Sequence, residues 1–129
     1  MQNKNTIRPE PDDFESVLAQ LANFRYLLRK FMRFSESAAR NAGVTPQQHQ
    51  LMLGIEGFTD NGKATVSELA EFLQERHHSV VGLIDRAARS ELVRREVDTS
   101  DRRVVLVSLT PGGGQQFRQL LDKTGAVTI

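Results

Sequence analysis

Residues 92–109 constrain the fold more than any other segment, because two strand-like apolar runs flank a short turn that is almost entirely charged. The charged residues of this turn and its base are Arg94, Arg95, Asp98, Asp101, Arg102 and Arg103. A turn that only reverses the chain favours Asn-Gly or Asp-Gly at its centre. Guanidinium groups at a hairpin tip can instead enter a narrow, electronegative groove such as the DNA minor groove. The segment therefore predicts an antiparallel hairpin whose tip contacts a partner.

Two short helices are predicted directly before this hairpin. Thr65 and Glu68 have the spacing of a capping box, in which each side chain accepts the backbone N–H of the other residue. A few polar residues separate this helix from a second one at 77–90, whose apolar positions recur at helical spacing. Two helices joined this closely form a helix-turn-helix, and a hairpin that follows them makes a winged helix.

A long helix is predicted at 14–43, where apolar residues recur every three or four positions. The polar residues 1–13 before it are predicted to form a disordered tail. Asp12 or Asp13 can cap the start of the helix, and Gly43 suits a left-handed exit. The apolar stripe is wide for a helix that covers one small domain. Part of it is expected to contact a partner subunit, the alternative being a wholly intramolecular stripe.

Two further cap signals complete the predicted architecture. Thr45 and Pro46 open a second helix with another capping box, and Thr110-Pro111 opens a last helix. The predicted fold class is mainly α with a small β-hairpin wing (α+β). It is a single winged-helix domain over 14–129, in which 45–109 form the DNA-binding winged helix-turn-helix and the helices at 14–43 and 111–129 form the dimerisation region.

Composition excludes several classes of function. The chain has 129 residues and no cysteine, which excludes disulfides, cysteine-based zinc sites and thiol switches. It has neither an apolar run of about 20 residues nor a hydrophobic signal core, so we expect a cytoplasmic protein with no membrane partner. The net charge of +1 does not by itself indicate a nucleic-acid partner, and a solvated mixed-charge surface is the plain alternative for the arginines.

Catalysis and metal binding find little support in the sequence. No motif places a serine, a histidine and an aspartate together, and Gly112-Gly113-Gly114 lacks the lysine and hydroxyl residue of a P-loop. His77 and His78 are adjacent, so on a helix they point about 100° apart and make a poor metal pair. His49 stands alone and is expected to be a surface or packing residue, with a sensor role as the alternative. We therefore predict no enzyme, no cofactor and no metal.

The predicted DNA-contacting residues lie on helix 77–90, the recognition helix, and on the wing 98–103. The N-terminal, solvent-facing side chains of a recognition helix contact base edges in the major groove. The candidates there are His77, His78, Ser79 and Gly82, with Arg76 and Arg86 placed for phosphates. In the wing, Arg102 or Arg103 is predicted to enter the minor groove, and Asp101 is close enough to pair with one of them and hold its guanidinium.

With these residues in place, the chain resembles the MarR (multiple antibiotic resistance regulator) family of bacterial winged-helix transcription factors over about residues 14–121. The matching stretches are 65–70, 92–95, 98–103 and 109–113. The resemblance implies a symmetric dimer on a pseudo-palindromic operator, with recognition helices about 34–36 Å apart. It places the minor-groove arginine at Arg103, with Arg102 as a further candidate and Asp101 as the orienting partner. In many members a small aromatic compound, bound between the dimer helices and the winged helix, releases the DNA.

Three departures from the family pattern carry expectations of their own. Gly82 stands where many members have a long polar or basic residue, so specificity is expected to depend on Ser79, on His77 or His78, and on DNA shape. Glu91 replaces the usual glycine after the recognition helix, which predicts a different exit from that helix. Members continue with longer helices where this sequence ends at Ile129, so dimerisation is expected to rely on the first helix and the short last one.

The leading hypothesis is a dimeric, sequence-specific DNA-binding transcriptional regulator, a repressor released by a small aromatic ligand. The alternative is a winged-helix protein-interaction module without specific DNA binding, which near-neutral charge and Gly82 favour. A third hypothesis is a small-molecule-binding protein that has lost its DNA function. The dependence of DNA affinity on salt separates the first hypothesis from the others, because phosphate contacts release counterions.

Overall fold

The computed structural model describes residues 11–59 and 61–125. The described residues form five α-helices, a short π-helical segment and three strands that make one small sheet. In order the elements are α1 (Pro11–Asn41), α2 (Pro46–Leu53), a short π-helical segment (Gly54–Phe58), β1 (Ala64–Thr65), α3 (Val66–Leu73), α4 (His77–Arg89), β2 (Val93–Val97), β3 (Val105–Leu109) and α5 (Pro111–Gly125). The predicted α+β winged helix-turn-helix is confirmed.

The start of α1 differs from the prediction. Residues 11–13, the last of the predicted tail 1–13, are helical, and residues 1–10 of that tail lie outside the described residues. Asp12 and Asp13, which were predicted as caps, therefore lie inside the helix. At its other end α1 exits through Gly43 with φ +79, and the predicted left-handed exit is confirmed.

Both predicted capping boxes are present. At α2 the Gln48 N–H donates to Thr45 Oγ1 at 3.0 Å, and the Thr45 N–H donates to Gln48 Oε1 at 3.1 Å. At α3 the Glu68 N–H donates to Thr65 Oγ1 at 3.1 Å, and the Thr65 N–H donates to Glu68 Oε1 at 2.9 Å. Each box satisfies N–H groups that a helix start would otherwise leave unpaired.

The sheet has one strand more than the two that were predicted. Its order is β1-β3-β2, all antiparallel, and β2 pairs with β3 from Val93↔Leu109 to Val97↔Val105. The additional strand β1 holds only two residues, which pair with Val107 and Leu106 of β3. A strand this short has no alternating pattern to find in a sequence.

The exit from α4 corrects a second expectation. Glu91 was expected to require a different exit because it replaces a glycine, but it adopts the left-handed conformation itself, with φ 61. The chain turns there through hydrogen bonds from the Glu91 N–H to Ala88 O and from the Leu92 N–H to Ala87 O, each 3.0 Å long. A side chain at positive φ is strained, so the surrounding contacts hold Glu91 in place.

The start of α5 packs directly against this exit. The hydroxyl of Thr110 donates to Glu91 O at 2.6 Å and accepts the Gly113 N–H at 2.9 Å, while the Thr110 N–H donates to Leu92 O at 3.0 Å. A Cβ on Gly113 would stand 2.0 Å from Leu92 O, so only glycine fits. α5 continues to Gly125, and the rest of the predicted helix 111–129 lies outside the described residues.

The core joins α2, α3, α4, the sheet and α5. Its fully buried large side chains are Val44, Leu51, Met52, Ile55, Leu69, Val80, Ile84, Val107 and Leu120. α1 contributes to it only near its C-terminal end, through Ala38 and Ala39. The apolar residues of the preceding turns are exposed, and they include Phe14, Val17, Leu18, Leu21, Phe24, Leu28 and Met32. None of the helices formed by the described residues has the length and apolar character needed to cross a membrane.

Candidate nucleic-acid interface

α4 presents one face to the core and the opposite face to solvent. Val80, Leu83, Ile84 and Ala87 are buried. The three predicted base-contacting side chains, His77, His78 and Ser79, are all exposed at the start of the helix. The structure therefore brings these candidates together at one helix end, on the surface.

The two phosphate candidates flank this group along α4. Arg76 occupies the N-cap position and is exposed, and its side chain makes no capping hydrogen bond. Arg86 is exposed further along the helix, with its guanidinium beside Gly82. Both cations are therefore exposed, Arg76 at the start of the helix that holds the predicted base contacts and Arg86 further along it, and their contact with phosphates stays a prediction.

The turn of the wing is held by its own aspartates. Asp98 Oδ1 accepts the Ser100 N–H at 3.1 Å, and the Asp98 N–H donates to Val104 O at 2.9 Å. The Val104 N–H donates to Asp101 O at 3.0 Å. Side-chain acceptance of a backbone N–H two residues on is the way in which aspartate stabilises turns. No role was predicted for Asp98, although its position at the start of a turn is a usable sequence signal.

Arg103 is the most exposed ion-paired residue of the wing. Its Nε donates to Asp101 Oδ1 at 3.1 Å and its Nη2 donates to Asp101 Oδ2 at 3.2 Å, while 90% of its side chain remains accessible. These hydrogen bonds hold the pKa of the Asp101 carboxyl below its ordinary value. Arg102 is exposed beside it. The predicted Asp101–Arg103 contact is present, whereas the entry of either arginine into a groove stays a prediction.

Two ion pairs connect the hairpin to the rest of the winged helix. Arg95 of β2 pairs with Asp85 of α4, and Glu96 pairs with Lys63 before β1 through a contact of 2.7 Å. The hydrogen bond from Lys63, and then its charge, lowers the pKa of Glu96. Neighbouring residues of a strand point to opposite faces, so the hairpin is held from both sides. Neither partner, Asp85 or Lys63, was predicted from the sequence.

A cavity of about 480 Å³ lies between α1, α2 and α4. Its lining includes Glu36, Gln47, Gln50, Leu73, Ser79 and Arg86. Charged, polar and apolar side chains thus line one concave site. Two of the predicted DNA contacts, Ser79 and Arg86, line it.

The histidines do not form a metal site in the described part of the chain. Among residues 11–59 and 61–125 no three side chains from histidine, aspartate and glutamate are grouped so that they could hold a metal ion. His49 is buried, with its ring centroid 6.4 Å from that of Phe117, and burial lowers its pKa. His49 therefore packs in the core, and of the surface and packing roles that were expected for it the packing role is confirmed.

These elements define a winged helix-turn-helix protein. The helices α3 and α4 form the helix-turn-helix, α4 is exposed on one face, and β2 and β3 form the wing. The sequence model of the MarR family matches residues 42–104. The HTH-type transcriptional repressor MdtR of Bacillus subtilis is 34% identical over 85 residues, which cover 66% of this chain and 53% of that protein. The chain is thus similar to the MarR family, and the match to the family model lies in the winged helix-turn-helix region.

Solved structures share the fold of this chain. The YusO protein from Bacillus subtilis has a TM-score of 0.64 and 29% identity, with 91% of this chain and 79% of that chain covered. A mutant MarR from E. coli complexed with operator DNA has a TM-score of 0.67 and 22% identity, with 87% and 78% covered. The chain spans about half the length of MdtR and of YsmB, a second regulator from Bacillus subtilis, of which 53% is matched in each case.

Proposed function

We propose that this protein is a dimeric, sequence-specific DNA-binding transcriptional repressor. The observation that carries the proposal is the exposed guanidinium of Arg103, held by Asp101 at the tip of a braced wing. A guanidinium group of this kind can bind in the electronegative minor groove, and the exposed side chains at the start of α4 can contact bases in the neighbouring major groove. The relative MdtR is named a transcriptional repressor, which supports the same function. The proposal includes a cytoplasmic location, no catalytic step and no bound cofactor.

The contacts divide into those that position the protein and those that select a sequence. His77, His78 and Ser79 would contact base edges, while Arg76 and Arg86 would contact phosphates. Phosphate contacts orient a protein on the duplex, and base-edge contacts carry most of the sequence information. Arg103, with Arg102 beside it, would add recognition of minor-groove width.

Dimerisation would place two such units on one operator. We assign it to α1 and α5, with 45–109 as the DNA-binding part of a single domain. The exposed apolar stripe of α1 supports this assignment, because contiguous apolar patches of this kind mark association surfaces. A two-fold dimer would set its recognition helices about 34–36 Å apart, which matches a pseudo-palindromic site.

A small aromatic effector would bind the cavity between α1, α2 and α4. Leu73 and Val80 offer apolar contact there, and the guanidinium of Arg86 offers a partner for a phenolate or a carboxylate. An occupant that binds Arg86 withdraws it from phosphate contact, so binding would weaken the complex with DNA. Benzoate tests this proposal: it should raise the Tm of the wild type but not of Arg86→Ala, and it should lower DNA affinity.

The function is tested by fluorescence anisotropy with a duplex from the promoter of the protein's own gene. Arg103→Ala should weaken binding at least tenfold, or about 1.4 kcal/mol. The logarithm of affinity should fall with the logarithm of salt by about 0.9 for each phosphate contact. Glu56→Ala, at an exposed charged residue outside α1, α4, α5 and the wing, is the control and should bind as the wild type does. Affinity that is independent of salt and of Arg103 would favour the protein-interaction module instead.

A further inference from the structure

The glycine in the middle of α4 needs an explanation. Glycine is less favourable than alanine inside a helix because it loses more backbone freedom on folding. Gly82 lies in the interior of α4, which runs from His77 to Arg89. A helix with no need of glycine at this position would be more stable with alanine.

Nothing in the folded chain requires glycine there. Among the described glycines, positive φ occurs at Gly43 and Gly62, so the backbone of Gly82 suits any residue. A Cβ on Gly82 would meet only Arg86 Nη1 at 3.5 Å, which is an ordinary contact with a flexible side chain. Gly113 is the opposite case, because its Cβ would stand 2.0 Å from a backbone oxygen.

Gly82 lies on the outward face of α4. At about 100° per residue it stands opposite the buried side chains Val80, Leu83 and Ala87. His78 precedes it by one turn on this face and Asp85 follows it by about one turn, with Asp85 held by Arg95 of the wing. The missing side chain therefore leaves a notch in the middle of the face that the proposed function directs towards DNA.

We propose that Gly82 is a specificity-determining position, at which the backbone of α4 approaches the edge of a base pair in the major groove. Close approach of a backbone to a ligand is one of the uses of glycine. Because the helix can lie deeper by the length of a side chain, His78 reaches base edges that a longer residue at position 82 would hold at a distance. The inference rests on the proposed function.

Gly82→Ala tests it with two readouts of opposite sign. The substitution should raise Tm by about 4 °C, because alanine favours the helix. It should weaken binding to the operator duplex at least tenfold, about 1.4 kcal/mol, and leave binding to a scrambled duplex unchanged. The salt dependence should also be unchanged. Loss of a phosphate contact through Arg86 would instead weaken both duplexes and reduce that dependence.

Gly57→Ala is the matched control. Gly57 is exposed, its Cβ would meet only Leu53 Cδ1 at 3.9 Å, and it lies outside α4, so both affinities should equal those of the wild type. Operator affinity of Gly82→Ala within twofold of wild type would overturn the inference and leave the proposed function standing. An equal loss on both duplexes would also overturn it. A wild type that does not distinguish the operator from the scrambled duplex would overturn the proposed function itself.

Discussion

Leu51 and Ile55 in the winged helix are completely buried, whereas Leu21 and Phe24 of α1 leave half or more of their surface exposed. The two regions have similar apolar spacing in sequence, but only the winged helix buries its apolar side chains within one chain. Burial of a leucine or phenylalanine side chain contributes about 1.5–3 kcal/mol. The winged helix gains this energy alone, and α1 can gain it only against another surface. Stability and association should therefore respond separately to substitutions in the two regions.

The largest expected effect is on the winged helix, from Gly113→Ala. The new Cβ would collide with Leu92 O, and overpacking of this kind typically costs up to about 3 kcal/mol. Urea denaturation should show this loss in the free energy of unfolding. Gly112→Ala is the control, because a Cβ there meets nothing within 4 Å. Equal stability of the two variants would contradict the packing that we describe.

A slightly smaller effect is expected on association, from the double variant Leu21→Glu and Leu28→Glu. Both side chains lie on the exposed stripe of α1, and charging them should raise the dimer dissociation constant about 100-fold, or 2.7 kcal/mol. Light scattering and sedimentation measure this change. Ala19→Glu, on the opposite face of α1, should leave the dimer intact. A double variant that stays dimeric would place the interface elsewhere.

Glu91→Gly should stabilise the winged helix by about 1 kcal/mol, because glycine adopts positive φ without the strain that a side chain meets there. Glu91→Ala keeps the Cβ and should give no comparable gain. The Tm of each variant, measured by thermal unfolding, tests this difference. A Tm for Glu91→Gly at or below that of the wild type would show that Glu91 makes contacts that outweigh its strain.

The smallest expected effect is a pH dependence of the free energy of unfolding. It should arise in the winged helix and leave the association of α1 unchanged. Burial lowers the pKa of His49, so the unfolded chain binds a proton at a higher pH than the folded chain does. Stability is therefore fully present above pH 6.5, should fall as the pH is lowered below 6.5, and should level off below the folded pKa of His49. The lowered pKa values of Glu96 and Asp101 act only below about pH 4.5.

His49→Gln is the control for this prediction and should remove the loss of stability below pH 6.5. α1 holds no histidine, so the exposed stripe should associate equally well over the same range. A wild type whose stability is constant between pH 5 and 7 would contradict the role of His49.

Features set by near neighbours in sequence were predictable. The capping boxes at Thr45 and Thr65 and the contact between Asp101 and Arg103 each join residues two or three positions apart. Their spacing alone decides whether the atoms can meet.

Features set by packing between distant elements were not predictable. Asp85 and Arg95 are brought together only by the docking of β2 against α4, and Lys63 meets Glu96 only across the sheet. The expected exit at Glu91 was wrong for the same reason, since contacts from Thr110 hold a conformation that glutamate disfavours. Local preference was overridden there by tertiary hydrogen bonds.

The hydroxyl of Thr110 connects three elements with different tasks. It lies between the backbone where α4 ends, the entry into β2 and the first turn of α5. While these bonds hold, α5 cannot swing about its first turn without displacing the end of α4. A displacement of α5 would thus be transmitted through Thr110 to the end of α4 and to the entry into β2.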